Sequence, residues 1–306
     1  MKEISSESFI RSNVRLADYT RLKIGGTAEY FAEPESEADL LGLLRLCRER
    51  NIPIHVIGAG SNILVPELGI SGVVISLSHP CFCQIDTKAS ASEPLVTAGA
   101  GAKLVNLITQ SVTDGLGGIE NLVGIPGTIG GALHDNAGTN NDNIGQWVEN
   151  VRVANLNGTT SILSKNEISF GYRSSSLDTG VIISATFRLE PESPTELSKR
   201  MQKFWIVRKS QLPSNESKTI LAFNSTKSGT PASDLIEQAN LKGTRIGNAM
   251  ICEQNANFIV IEPIENDTEK GKINDNANDI KRLIQLVQDR ILEKTDIEIE
   301  SALRIW

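Results

Sequence analysis

Several features that define particular classes of protein are scarce in this sequence of 306 residues. Aromatic residues make up only 5% of the chain, which argues against a surface that stacks the bases of single-stranded nucleic acid. The net charge of −7 disfavours a general DNA- or RNA-binding surface, because such surfaces carry clusters of basic side chains. A local basic pocket for an anionic metabolite is compatible with this charge. We therefore expect no nucleic acid as a partner.

Long apolar runs and zinc-like cysteine spacings are also missing. No run approaches the ~20 apolar residues that a membrane-spanning helix needs, and the N-terminal MKEISSESFI has no signal-peptide core. The Cys-Phe-Cys spacing is one residue short of a CxxC pair, and no second pair follows. The cysteines are Cys47, Cys81, Cys83 and Cys252. We expect a cytoplasmic protein with reduced cysteines, no membrane partner and no metal.

The hydrophobic pattern predicts helices and strands without strict alternation. Residues 36–51 place apolar side chains at helical spacing behind Ser36, a candidate N-cap. Residues 52–57 form a short apolar run typical of a buried strand, and Asn157-Gly158 is a strong hairpin signal. This mixture predicts an α+β fold. A break rich in Pro and Glu at 191–196 predicts one domain over 1–192 and a second over 193–306.

A glycine motif follows the strand at 52–57: residues 58–65 read GAGSNILV. Glycine lets backbone N–H groups approach an anion closely, and successive N–H groups can form a nest for phosphate. A tight connection between strand and loop that binds nothing is an equally good interpretation of the motif alone. The later glycine of a Rossmann fingerprint and the Gly-Lys-Ser/Thr of a P-loop are both missing.

A second segment, GIPGTIGGALHDNAG at 124–138, contains five glycines in fifteen residues. That density is too high for a packed helix or strand, because each glycine costs about 0.5–1 kcal/mol relative to alanine. Two separated glycine loops suit a long ligand with two ends, such as a dinucleotide. The remaining alternative is a glycine-rich turn that binds nothing.

These motifs, together with others along the chain, resemble those of the UDP-N-acetylenolpyruvoylglucosamine reductase family. The shared stretches are RLKIGGTAEYF, GAGSNILV, GIPGTIGGALHDNAG, FGYRSSSL, LIEQANLKGTRIG and NANFIV, and they occur in the family's order. The resemblance covers about residues 15 to 306. It is to the shorter branch of the family, because no long insertion separates Tyr172 from the next strand.

The resemblance implies a two-lobed FAD-binding domain of the vanillyl-alcohol-oxidase/PCMH-like type, with lobes that divide near residue 78. A smaller α+β domain would bind the substrate. The implied reaction is the NADPH-dependent reduction of UDP-N-acetylglucosamine enolpyruvate to UDP-N-acetylmuramate, a step of peptidoglycan precursor synthesis. Because the loop at 58–62 contains no histidine, we expect noncovalent FAD. We also expect a monomer.

The resemblance also assigns residues to the cofactor and to catalysis. Arg173 matches the family arginine that faces the negative charge developing on the substrate. The implied cofactor-binding residues are Gly58, Ala59, Gly60, Ser61, Asn62, Gly124, Ile125, Pro126, Gly127, Gly130, Gly131, Asn136 and Gly138.

Two family catalytic positions are substituted in this chain. Leu221 stands where the family has a proton-donating serine, and Ala302 stands where it has a glutamate. Ser217 or Ser225 could replace the serine if the loop shifts register. Glu300 would point to the same face of a strand as Ala302. The sequence thus predicts FAD binding with an impaired reaction, or an FAD-binding relative that lacks this activity because it is silent or uses a different substrate.

Overall fold

The protein is described from a computed structural model that covers residues 7–87, 94–138, 142–213, 219–226, 229–262 and 276–306. The chain forms two compact units. The first unit comprises Met1–Val14, Glu29–Ala59 and Ser71–Ser210, and the second comprises Arg15–Ala28, Gly60–Ile70 and Gln211–Trp306. Helices and strands occur together in both, which confirms the predicted α+β class.

The described strands and helices have the following bounds. The strands are β1 Ile10–Arg15, β2 Thr27–Ala32, β3 Ile54–Ile57, β4 Ile63–Leu64, β5 Ile70–Ser76, β6 Ile85–Asp86, β7 Leu95–Gly99, β8 Leu116–Gly117, β9 Val148–Asn155, β10 Thr160–Ser164, β11 Phe170–Gly171, β12 Ser174–Ser175, β13 Gly180–Arg188, β14 Glu190–Pro191, β15 Thr219–Leu221, β16 Arg245–Ile246, β17 Ala249–Ile251, β18 Phe258–Ile261 and β19 Arg304–Ile305. The helices are α1 Glu37–Glu49, α2 Leu104–Thr113, α3 Ile129–His134, α4 Pro194–Gln211, α5 Ala232–Gln238 and α6 Asn276–Thr295.

The first unit is built on two sheets. One has the order β1-β2-β5-β3, and the other has the order β10-β9-β13-β7-β6. In the first sheet β3 runs parallel to β5, with Ile54 opposite Val73. In the second sheet β13 pairs antiparallel with both β9 and β7. The first sheet ends at Ser76 and the second starts at Ile85, so residue 78 lies between them.

Helix α1 shows how the local sequence directs the packing of this unit. The Ser36 hydroxyl accepts a hydrogen bond from the backbone N–H of Asp39 at 3.2 Å, which satisfies one donor of the first turn. The buried face repeats at helical spacing and joins the core cluster of the first unit. Its members are Leu40, Leu43, Leu44 and Cys47.

The second unit combines one antiparallel sheet with α5 and α6. The sheet has the order β15-β18-β17-β16. One face of α6 is buried at Ile280, Leu283, Ile284, Val287 and Ile291, as the amphipathic pattern predicts. Leu292, which the same pattern assigns to that face, is 42% exposed, because it lies about 100° around the helix from buried Ile291.

The compact units divide elsewhere than at the predicted boundary between 192 and 193. Helix α4 stays with the first unit up to Ser210. Leu197 is fully buried in the core of that unit, and Arg200 forms ion pairs with Glu120 and Glu192. The helix that follows the Pro- and Glu-rich break therefore packs against residues of the first unit that precede it in the sequence. Among the described helices, none has the length and hydropathy needed to cross a membrane.

Ile183→Ala should lower the free energy of unfolding by about 2–5 kcal/mol, because it opens a cavity in the core. Ile183 is 5% exposed on β13. The matched control is Ile162→Ala, on β10 of the same sheet and 67% exposed, which should change the free energy by no more than about 0.5 kcal/mol. Urea unfolding of both variants measures the difference. Equal effects would contradict the core assignment.

Candidate active site

The first glycine motif contacts the second one inside the first unit. The Cα of Gly58 lies so close to Thr128 that a methyl group there would overlap the Thr128 hydroxyl. That hydroxyl caps α3 by accepting a hydrogen bond from the N–H of Gly131 at 3.4 Å. Gly58 and Ala59 are exposed. The two glycine loops, which are far apart in the sequence, therefore adjoin at Gly58 and Thr128.

Gly60 has a different role from Gly58. It adopts φ of +60°, and a side chain there would overlap the backbone of Tyr19. Its carbonyl accepts a hydrogen bond from the N–H of Arg21 at 3.0 Å. All three residues belong to the second unit. Backbone packing alone therefore explains this glycine.

Part of the second glycine segment forms the short helix α3, although its glycine density predicts neither a helix nor a strand. Gly130 lies inside α3, and its N–H donates to the carbonyl of Ala100 at 2.8 Å. A Cβ on Gly130 would lie 3.1 Å from the Cβ of Ala100. The helix accepts glycine here because it packs closely against the end of β7, and Ile129 and Leu133 are fully buried.

The glycines at the two ends of this segment lie in turns. Gly124, Gly127 and Gly138 have φ of +82°, +144° and +144°, which side chains rarely permit. Gly138 pairs with Asn143 in an isolated bridge. The segment is therefore a helix between two glycine-dependent turns.

Asn136, assigned to the cofactor by resemblance, connects the glycine segment to the β11–β12 hairpin. Its Nδ2 donates to the carbonyl of Gly171 at 2.7 Å, and its Oδ1 accepts from the N–H of Gly145 at 3.1 Å. The residue is 4% exposed. A second bond, from the Ser175 hydroxyl to the carbonyl of His134 at 2.9 Å, anchors the other strand. The hairpin is thus held to the end of α3 on both sides.

Arg173 occupies the turn of that hairpin. Gly171 pairs with Ser174, so Tyr172 and Arg173 form a two-residue turn. Arg173 has φ of +53°, a region that side chains other than glycine seldom occupy. Its Nε is buried and has no hydrogen-bond partner among the described residues. A strained backbone and an unpartnered buried donor are typical of functional positions.

Arg208 is a second cation that interacts electrostatically with Arg173, and the sequence did not predict a role for it. Its Nη2 donates to the carbonyl of Asn121 at 3.1 Å, and its Cδ would lie 2.8 Å from a Cβ on Gly124. Burial lowers the pKa of the Arg208 guanidinium, and the positive charge of Arg173 lowers that pKa further. No sequence motif distinguishes Arg208 from the other basic residues of α4. Two neighbouring guanidinium groups favour an anion between or beside them.

The two substituted positions lie on adjacent segments of the second unit. Leu221 ends β15 opposite Phe258. The N–H of Ala302 donates to the carbonyl of Ala222 at 2.8 Å, and Phe223 bridges to Ser301. Residues 221 and 302 are therefore brought together in the fold, as two members of one catalytic group would be, but both side chains are apolar.

Asn224 and its surroundings supply polar groups beside these positions. Asn224 Nδ2 donates to the carbonyl of Ser301 at 3.4 Å, while its Oδ1 is buried without a hydrogen-bond partner among the described residues. The backbone N–H of Asn224 donates to the carbonyl of Glu300 at 2.9 Å. Glu300 itself is exposed. Ser225 belongs to the described part of the chain, and Ser217 lies outside it.

Comparison with known proteins identifies the family. A family model of an FAD binding domain matches residues 28–164, and a model of the UDP-N-acetylenolpyruvoylglucosamine reductase C-terminal domain matches residues 209–306. The UDP-N-acetylenolpyruvoylglucosamine reductase of Rhodopirellula baltica is 34% identical, over 97% of this chain and 92% of its own length. That of Clostridium novyi is 33% identical, over 100% and 94%. The chain belongs to the UDP-N-acetylenolpyruvoylglucosamine reductase family.

A solved structure of this reductase family agrees with the sequence match. The reductase from Thermus caldophilus has a TM-score of 0.78 and 31% identity, and the match covers 97% of this chain and 100% of that one. The predicted family, FAD-binding fold and FAD cofactor are therefore confirmed. The assignment of individual cofactor and catalytic residues stays a prediction.

The residues present fit a bound FAD. Gly58 and Gly130 lie where a Cβ would meet Thr128 and Ala100, so the two loops are packed as bare backbone. Gly58 and Ala59 leave that backbone exposed to a ligand. We expect Gly58, Ala59 and residues 124–138, all in the first unit, to contribute to the cofactor site, chiefly through backbone N–H groups.

Gly58→Ala should weaken FAD binding, because the new methyl group overlaps the Thr128 hydroxyl and displaces one loop from the other. We expect the Kd for FAD to rise at least about tenfold, which corresponds to 1.4 kcal/mol. The control is Gly42→Ala in α1, where nothing lies within 4 Å of the added Cβ. Titration of the apoprotein, followed by flavin fluorescence, measures both. An unchanged Kd in Gly58→Ala would contradict the proposed cradle.

Proposed function

We propose that the chain is an FAD-dependent reductase that acts on UDP-N-acetylglucosamine enolpyruvate with NADPH, and that its protonation step is slow. The observation that carries this proposal is the unpartnered Nε of Arg173, held in a strained turn near the charge of Arg208. The membership of the chain in the reductase family supports the choice of substrate. Localisation in the cytoplasm and a monomeric state are parts of the same proposal.

Arg173 would stabilise the charge that develops during reduction. When bound and reduced by NADPH, FAD would supply the hydride for the enolpyruvyl double bond. Addition of hydride at the outer carbon leaves negative charge on the carbon next to the carboxylate. A guanidinium is always charged and presents several N–H donors in one plane, so Arg173 can bind the carboxylate and the developing charge together. The Nε–H of Arg173 has no hydrogen bond to another described residue that would have to break before the substrate binds.

Arg208 would support Arg173 electrostatically. Because Arg208 is already held by the carbonyl of Asn121, it stays near Arg173 despite the repulsion of two like charges. A substrate carboxylate relieves that repulsion when it binds, so the free protein is prepared for an anion. The hydrogen bonds of Asn136 and Ser175 keep the turn from moving away.

The protonation step is where the chain departs from its family. Neither Leu221 nor Ala302 can donate a proton, and loss of a general acid costs roughly 10²–10⁴ in rate. Ser225 or Glu300 would have to act instead, or a water molecule. Two losses need not multiply, because residues of one catalytic group act as a unit.

A second candidate function is an FAD-binding protein without this activity. The apolar pair Leu221 and Ala302 favours it, since these residues adjoin in the fold and leave no acid at either position. Asn224 also replaces a family lysine, which weakens the case for the same phosphorylated substrate. Anaerobic reduction with NADPH, followed by addition of the UDP-sugar, separates the two functions. Flavin reoxidation at catalytic rates supports the reductase, and stable reduced flavin supports the second candidate.

Arg173→Lys should slow flavin reoxidation by UDP-N-acetylglucosamine enolpyruvate by about 10²-fold, the effect of removing one donor to a developing negative charge. Lysine keeps the charge and the backbone strain but lacks the planar donor set. The control is Arg188→Lys, on the exposed end of β13 in an ion pair with Glu149, which should keep the wild-type rate. Stopped-flow absorbance of the flavin measures the step. Equal rates in both variants would remove Arg173 from the mechanism.

The double variant Leu221→Ser with Ala302→Glu should accelerate the same half-reaction, because it restores an acid and a carboxylate at adjoining positions. We expect a gain of about 10²-fold or more. The measurement is again stopped-flow reoxidation, with each single variant as a control. The FAD content and the rate of reduction by NADPH should stay unchanged. If the double variant is as slow as the wild type, the substituted positions do not limit the reaction.

A further inference from the structure

A thiol pair lies outside the site described above, at residues 79–83 of the first unit. Pro80–Phe82 form one 3₁₀ turn, and His79 is its N-cap. The ring Nδ1 of His79 accepts a hydrogen bond from the N–H of Cys81 at 3.4 Å. Cys81 is exposed and Cys83 is half-buried.

The ring nitrogen of His79 is also positioned as a base for Cys81. His79 Nδ1 lies 3.2 Å from Cys81 Sγ, and the same sulfur lies 3.2 Å from the carbonyl oxygen of Glu35. Because Nδ1 accepts the N–H of Cys81, the proton of the neutral ring belongs on Nε2. The single lone pair of Nδ1, which the long 3.4 Å bond engages only weakly, also lies within reach of the thiol, whose proton otherwise points to the Glu35 carbonyl.

The second thiol lies within disulfide range of the first. In a 3₁₀ turn, two residues that are two positions apart have Cα atoms roughly 5 Å apart, inside the about 4.4–6.8 Å that a disulfide needs. Cys83 Sγ lies 3.6 Å from the carbonyl oxygens of Leu77 and Ser78. Cys83 Sγ thus faces the segment just before the turn, and Cys81 Sγ faces His79 and Glu35.

Backbone hydrogen bonds join the residues around Cys83 to the end of β7. The N–H of Gly101 donates to the carbonyl of Phe82 at 2.9 Å, and the N–H of Gly99 donates to the carbonyl of Gln84 at 2.8 Å. Desolvation raises the pKa of both thiols, so a base is needed to form a thiolate at neutral pH. Among the described residues, no three His, Cys, Asp or Glu side chains are grouped to hold a metal ion.

We propose that Cys81 and Cys83 form an oxidisable dithiol that hydrogen peroxide converts to an intramolecular disulfide, with His79 as the base. His79 takes the proton of Cys81, and the thiolate attacks one peroxide oxygen. The O–O bond breaks, the leaving hydroxide takes a proton and departs as water, and Cys81 becomes a sulfenic acid. Cys83 sulfur then attacks Cys81 sulfur and the second water leaves. Two thiols are oxidised by two electrons and one peroxide is reduced to two waters.

Treatment of the intact protein with hydrogen peroxide tests the proposal. Alkylation after unfolding should find two of the four thiols lost, with a peptide that carries both Cys81 and Cys83 lighter by two hydrogens. The buried Cys47 and Cys252 should remain free and act as internal references. Reaction of all thiols, of none, or formation of a dimer linked through Cys81 would overturn the proposal.

Two variants test the assigned roles. Cys83→Ser should accumulate a sulfenic acid at Cys81 that dimedone labels, because the resolving thiol is gone. His79→Asn keeps a side-chain acceptor for the N–H of Cys81, and so preserves the cap, but provides no base. It should slow oxidation at pH 7 by about 10²-fold and recover at high pH, where the thiol ionises unaided. A wild-type rate and pH profile in His79→Asn would remove the histidine from the reaction.

Discussion

The hydrogen bonds of Asn136 are the constraint on which the rest of the first unit's site depends. One side chain, hydrogen-bonded through both Nδ2 and Oδ1 at 2.7 and 3.1 Å, joins the glycine segment, the residues around Gly145 and the hairpin that carries Arg173. The left-handed backbone conformation of Arg173 and its buried Nε without a hydrogen-bond partner among the described residues both cost folding free energy. The fold tolerates this cost because the hairpin is anchored on both strands, and the result is a cation prepared for an anion before any ligand binds.

The glycines of this protein serve two different physical purposes. Gly58 and Gly130 permit close approach between segments of the first unit, while Gly60 and Gly138 relieve contacts with their own backbone surroundings. The local sequence cannot separate the two kinds at Gly58, Gly60 and Gly130, because the atoms that a Cβ would meet there lie in distant parts of the chain.

The second unit brings together Leu221 and Ala302, the two residues that the resemblance assigns to family catalytic positions. Residues 221 and 302 adjoin through the backbone hydrogen bond between Ala222 and Ala302. Both side chains are apolar, so neither can act as an acid, and the buried amide of Asn224 lies beside them.

The sequence by itself determined the regular elements and the family. Helical spacing and the Ser36 cap predict α1, and Asn157-Gly158 predicts the β9–β10 hairpin, because these signals are local. The motif residues predict roles for Arg173, Leu221 and Ala302 through the resemblance, and these roles stay predictions. Only the tertiary structure decided that α4 packs with the first unit, that Arg208 stands near Arg173, and that Asn136 holds the hairpin. Each of these depends on atoms far apart in the chain, where burial and close packing outweigh local propensity.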